Sequence, residues 1–138
     1  MRKILFALLV GTLMFSCSSD EETIPETITQ KNNRLIIGTW KLTSYFINDV
    51  QQNLNSCQLL SKTTYSTAPT MKRYNDDFYN KNSAGDCFVN QYENYWNIEE
   101  NVLYRYDGNL AISHTLVTLS ETTLKYSVQG NTYTFTKQ

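Results

Sequence analysis

The chain has 138 residues, 41% of them hydrophobic and 18% charged, which suits one domain with a buried core and argues against a disordered protein. Twelve Lys plus Arg against thirteen Asp plus Glu leave a net charge of -1, so there is no basic field to release counterions from a nucleic-acid backbone, and DNA and RNA are excluded as partners. Ten Tyr beside only five Gly and two Pro lean the composition towards β structure.

Arg2 and Lys3 precede an almost unbroken apolar run over residues 4–15, and Ser16 then sets a small residue before Cys17. This is the pattern of an export signal, and the run is short of the roughly 20 residues that a membrane-spanning helix needs. The small residue followed by Cys resembles the lipobox of bacterial lipoproteins, although Met14 and Phe15 depart from the usual preceding residues. The resemblance implies a signal peptide over 1–16 and acylation of Cys17 as the first mature residue. It also implies a lipid anchor in the bacterial outer membrane, which takes more than one acyl chain to hold. The other reading is an ordinary secreted protein cut elsewhere. Ser18-Ser19-Asp20-Glu21-Glu22 resembles the acidic signals that send some such lipoproteins to the cell surface, and it reads equally as a solvated tether. Residues 18–34 are polar, include Pro25 and lack a long apolar period, so 17–34 is expected to be an acylated, flexible tether.

From residue 35 to 138 the period is two. Trp40, Leu42 and Phe46 share a parity on the first strand; Phe88, Tyr92, Trp96 and Ile98 share one on a later strand, continued by Val102, Tyr104 and Tyr106. Glu99-Glu100-Asn101 joins these as a hairpin loop, Asp107-Gly108 makes the next turn, and a strand follows over 112–119. Strands over 124–129 and 131–136 turn at Gly130. Residues 62–67 and 70–74 read as two short strands or one bent edge, because Pro69 cannot donate to a ladder. The one weak helix candidate is 49–55. About eight short strands at this spacing predict an all-β barrel or sandwich.

With Cys17 assigned to the lipid, Cys57 and Cys87 remain as a natural disulfide in an oxidising compartment. A bridge of that span stabilises by about 3 to 4 kcal/mol on the chain-entropy account. No further Cys or His stands at ligand spacing, so no metal is expected.

The opening run Leu35-Ile36-Ile37-Gly38-Thr39-Trp40 carries the Gly-x-Trp that resembles the lipocalin signature. With the Cys pair and the C-terminal hairpins, residues 35–138 resemble the small lipocalin-like domains of bacterial lipoproteins. That resemblance implies an antiparallel up-and-down barrel, Gly38 and Trp40 as structural signature residues with Trp40 across one end, and a small apolar ligand as cargo. The family's late Arg that stacks on the Trp has no clear counterpart, leaving Lys125 and Lys137 as stand-ins. The expected interior residues are Phe46, Phe88, Tyr92, Trp96, Tyr104, Tyr126, Tyr133 and Phe135, bulky enough that the barrel could be filled instead of hollow.

His114 is the one histidine and alternates with Ile112 and Leu116, an arrangement without the base and orienter that nucleophilic catalysis needs. Adjacent Asp76-Asp77 and Glu99-Glu100 make no acid-base couple, and Asp76, Asp77 and Asp86 lack the spacing of a calcium loop. No glycine-rich phosphate loop is present. The chain is therefore expected not to be an enzyme and to need no cofactor. Two functions stand: a ligand-holding barrel, or an envelope protein-interaction module using exterior tyrosines such as Tyr45, Tyr79 and Tyr95.

Overall fold

The computed structural model describes residues 24–68 and 71–138; the expected signal peptide, Cys17 and the acidic run lie outside the described residues. Helix α1 (Ile28–Leu35) leads into strands β1 (Gly38–Ile47), β2 (Val50–Gln51), β3 (Lys62–Ala68), β4 (Met71–Lys81), β5 (Cys87–Glu99), β6 (Val102–Asp107), β7 (Leu110–Leu119), β8 (Thr123–Val128) and β9 (Asn131–Lys137). Each strand from β3 onwards pairs antiparallel with the next, β3 pairs with the start of β1, and β9 pairs back onto β1. Eight strands thus close into an up-and-down barrel, as expected, with β2 a short spur on β1. Closure removes the open sheet edges that would otherwise invite pairing with another chain.

Two local expectations fail. Part of the segment read as a tether is helical: Thr27 caps α1, accepting from the Gln30 backbone while the Gln30 side chain accepts from the Thr27 N–H. This reciprocal pair satisfies two donors that a helix start leaves open. The helix is then tied to the β5–β6 turn, where Asn32 Nδ2 donates to Glu100 O at 2.7 Å and the Glu100 N–H donates to Thr29 Oγ1 at 2.9 Å. The weak helix expected over 49–55 is replaced by a tight turn into β2. Asn48 and Asp49 both take positive φ, 46° and 65°, the geometry that turns one strand back on its neighbour and that Asn and Asp tolerate.

Residues 62–68 and 71–81 form two strands, and β4 is long, running well past Tyr74. The core is continuous along the barrel axis, from Ile36, Trp40 and Leu103 through Tyr65, Trp96, Leu124 and Phe135 to Tyr126. One end is covered by α1 and holds the β5–β6 and β7–β8 turns; the other holds the β1–β2, β4–β5, β6–β7 and β8–β9 turns. At that second end the Cys57–Cys87 disulfide joins the irregular stretch after β2 to the start of β5, as the cysteine count predicts.

Candidate functional site at the open end of the barrel

Two small cavities open at the end away from α1. The first, about 260 Å³, lies among Leu42, Tyr45, Leu54, Phe78 and Tyr133, with Gln58, Ser61 and Asn80 as polar lining. Tyr45 and Tyr133 are cross-strand partners on β1 and β9, and their rings stack with centroids 4.7 Å apart. Tyr133 packs in turn on Tyr126 at 5.5 Å, so the aromatic wall is continuous with the core beneath. Burial, reinforced by Tyr45 beside it, pushes the Tyr133 hydroxyl up to about 12.

The second cavity, about 250 Å³, lies among Tyr74, Asp76, Tyr92, Asn94, Arg105 and His114. Its floor is an ion pair, Arg105 Nη2 to Asp76 Oδ2, with the residues only 7% and 3% exposed. The guanidinium also lies 3.9 Å from the Tyr74 ring centroid and reaches the Tyr126 hydroxyl at 3.4 Å. Burial opposes the Arg105 charge, but the oxygens of Tyr65, Tyr126 and Asp76 outweigh it and hold the group well into its protonated form. Among the described residues, the buried Asp76 Oδ1 and Arg105 Nε make no further hydrogen bond within the protein. His114 sits edge-on to Tyr126, with centroids 5.0 Å apart, and its Nδ1 lies 3.0 Å from Ile112 O. Burial, then the Arg105 charge, lower the imidazole to about 4, so it is neutral at neutral pH.

Of the eight residues expected inside, Trp96, Tyr126 and Phe135 are buried in the packed core, and Tyr133 lines the first cavity. Tyr92 faces the second cavity but is 58% exposed at its rim, and Phe88 is 44% exposed further out on β5. Two expectations are corrected. Phe46 points outwards, because the register skips Thr43 between Leu42 and Ser44, a bulge that inverts the alternation. Tyr104 also points outwards, because Leu103 and Arg105 are the buried residues of β6. The same bulge brings Tyr45, expected outside, inwards. Tyr95 is exposed as expected, with Arg73 over its ring at 5.5 Å, and Tyr79 is half-buried at the rim.

Sequence reasoning missed Arg105, Leu54 and Phe78, and weighed Asp76 only as half of an acid–base couple with Asp77 or as a calcium ligand. The available signal was Arg105 itself, a charged residue in phase with Leu103 in the middle of a strand of Val, Leu and Tyr. Among the described residues, no three His, Cys, Asp or Glu side chains converge to hold a metal ion.

Trp40 closes the α1 end as the resemblance implies. Its indole N–H donates to Ile36 O at 2.7 Å, and the ring is fully buried. Lys137 is the stand-in for the missing Arg, its ammonium 5.0 Å from the Trp40 ring centroid and 3.2 Å from Leu35 O.

No family model and no curated protein matches the sequence. Among solved structures, a lipocalin-like protein from Bacteroides uniformis superposes with a TM-score of 0.55 at 12% identity, covering 75% of this chain and 98% of that one. An uncharacterized protein from Bacteroides eggerthii superposes with a TM-score of 0.51 at 14% identity, covering 75% and 99%. The closed antiparallel barrel, the Trp at its covered end and these two likenesses together establish that this chain has the lipocalin-like fold.

Proposed function

We propose that this protein is a lipid-anchored lipoprotein of the bacterial outer membrane that holds a small apolar ligand at the mouth of its barrel. The anchor rests on Ser16-Cys17 after the apolar run. The carrying observation for the ligand is the aromatic cavity of Leu42, Tyr45, Leu54, Phe78 and Tyr133. Its 260 Å³ falls just below the usual range for small-molecule sites, so the ligand is compact, and the packed aromatic core leaves no deep channel for a long chain. The stacked tyrosines present flat faces to an apolar ring, with hydroxyl tips for orientation.

Native mass spectrometry of the full chain after mild detergent extraction should show a co-purifying small mass. Leu54→Trp, which plugs the aromatic cavity, should remove that mass. Retention of the mass in Leu54→Trp, or a uniformly empty wild type, sinks this reading.

One observation favours an interaction module instead. A concavity of about 740 Å³ is on the outer wall, between the β1–β2 turn and the outward faces of β7, β8 and β9, and Phe46 and Val117 line it. Under that reading Phe46→Arg abolishes cross-linking to an envelope protein on intact cells, and Leu54→Trp does not.

A further inference from the structure

Strand β3 is too short to complete the barrel wall at the mouth. Its pairing with β1 ends at Lys41 and Lys62 and its pairing with β4 at Lys62 and Asp77, while β1 runs on to Ile47 and β4 to Lys81. Among the described residues, no ladder joins β1 to β4 across that seam. The chain crosses it as a loop instead. At one end of the loop the Gln52 N–H donates to Tyr45 O at 2.8 Å. At the other, Ser61 bridges both walls, its carbonyl accepting from the Leu42 N–H and its hydroxyl oxygen from the Tyr79 N–H, each at 2.9 Å.

Between those two ends, residues 53–60 are tied to themselves. Asn55 Oδ1 accepts from the Cys57 and Gln58 N–H groups, Gln58 Oε1 accepts from the Asn55 N–H, and the Leu59 and Leu60 N–H groups donate to Asn55 O and Cys57 O. Among the described residues, no hydrogen bond runs from 53–60 to a strand. Such a loop can swing about its ends without giving up the bonds that shape it. Leu59 and Leu60 are 41% and 49% exposed, so the loop is held down by Leu54, packed on the core, and by the bond from Cys57 to Cys87. Leu54 and Gln58 line the apolar cavity together with Tyr45, Phe78 and Tyr133, so the loop is one wall of that cavity.

We propose that 53–60 is a lid on the apolar cavity, hinged at Gln52 and Ser61, and that the Cys57–Cys87 bond is its bolt, opened by a dithiol reductant. Cys57 is 1% exposed, whereas Cys87 is exposed at the start of β5, so the incoming thiolate attacks the Cys87 sulfur. The S–S bond breaks, and its electron pair leaves on Cys57, which takes up a proton. The second thiol of the reductant then displaces Cys87, which takes up another. The dithiol ends as a disulfide, having given up two electrons and two protons. This rests on the ligand-holding reading and adds to it a route of entry through the β1–β4 seam.

The probe is 2-naphthol, a compact apolar ring whose fluorescence is excited beyond the absorbance of Trp and Tyr. In stopped flow with the full chain, dithiothreitol should raise its association rate about tenfold. Cys57→Ser with Cys87→Ser should bind at the fast rate with or without the reductant, and Leu54→Trp should not bind in either state. On reduction the backbone amide cross-peaks of 52–61 should move, and those of β6, β7 and β8 should stay in place. An association rate unchanged by reduction overturns the lid and leaves the cavity as a ligand site. Cross-peaks that move or broaden throughout the barrel also overturn it, making the bridge a clamp on the whole fold. No binding of 2-naphthol in either state removes the lid and the ligand-holding reading together.

Discussion

The side chain of Lys137 runs through the space that a β-carbon on Gly38 would occupy: such an atom would lie 2.8 Å from Lys137 Cε. Gly38 also takes φ +128°, a conformation open in practice to glycine alone. The Gly-x-Trp run is thus a packing device. Its glycine clears the path by which a cation at the far end of the chain reaches the face of Trp40 and the last carbonyls of α1. Gly38→Ala is expected to cost about 1–3 kcal/mol through backbone strain and displacement of Lys137. Lys137→Ala should cost about 2 kcal/mol from the lost cation–π and hydrogen bonds, and Lys137→Arg should be tolerated. Urea unfolding of the three variants decides it; a Gly38→Ala protein as stable as wild type would contradict this account.

The strand pattern was legible because most strands bury one face, which enforces a period of two. The Cys pair, the Trp and the C-terminal hairpins followed directly. What could not be read was where the period breaks. Nothing in Leu42-Thr43-Ser44 announces that Thr43 will be skipped, and that one residue sends Phe46 out and Tyr45 in. On β6 the choice was between facing two tyrosines inwards or a Leu and an Arg, and apolar size favoured the wrong pair. The Arg wins because Asp76, 29 residues earlier on β4, pairs with it across the interior, a long-range match invisible to local pattern. The helix was missed because its apolar stripe is short and its signal, Thr27 followed by Gln30, lies in a polar stretch.

Helix α1 should behave as part of the folded unit. Asn32 is buried, and its side-chain amide is the partner of Glu100 O. Asn32→Ala leaves that carbonyl without its 2.7 Å donor and should cost about 1–3 kcal/mol. Hydrogen exchange should show the amides of α1 and of the β5–β6 turn losing protection together; independent exchange of the helix would mean it is only loosely laid on the barrel.

The disulfide should matter most at the mouth. Its cysteines are 30 residues apart, so replacing both by Ser is expected to cost about 3–4 kcal/mol. The loss should come with faster exchange over 52–61, the stretch that carries Leu54 and borders the apolar cavity. An unchanged midpoint in chemical denaturation would show that the barrel alone fixes this loop.

His114 predicts a pH dependence of definite sign. The unfolded imidazole binds its proton near pH 6.5, whereas burial and Arg105 lower the folded one to about 4. Between these values the unfolded state binds more protons, so stability falls as pH drops from about 6.5 to 4 and is flat in this group's contribution above that window. The full loss from this residue is about 3 kcal/mol. Denaturation midpoints of wild type and His114→Gln across that range should converge at the acid end. Parallel curves would show that the imidazole titrates normally.

The Asp76–Arg105 pair tests what a buried ion pair contributes to this fold. Removing one partner strands a charge in the barrel, so Arg105→Met is expected to lose about 3–5 kcal/mol. Replacing both, as in Asp76→Leu with Arg105→Met, exchanges two desolvated ions and their unpartnered atoms for apolar packing. That change is commonly neutral or stabilising. If the pair adds no net stability, the double variant regains wild-type stability or exceeds it. If the pair is instead what holds β4 against β6 across the interior, the double variant stays as unstable as Arg105→Met. Thermal melts of the two variants beside wild type distinguish these cases, because an ion pair that adds no net stability can be exchanged for apolar packing at no cost to the fold, whereas removing one partner strands the other.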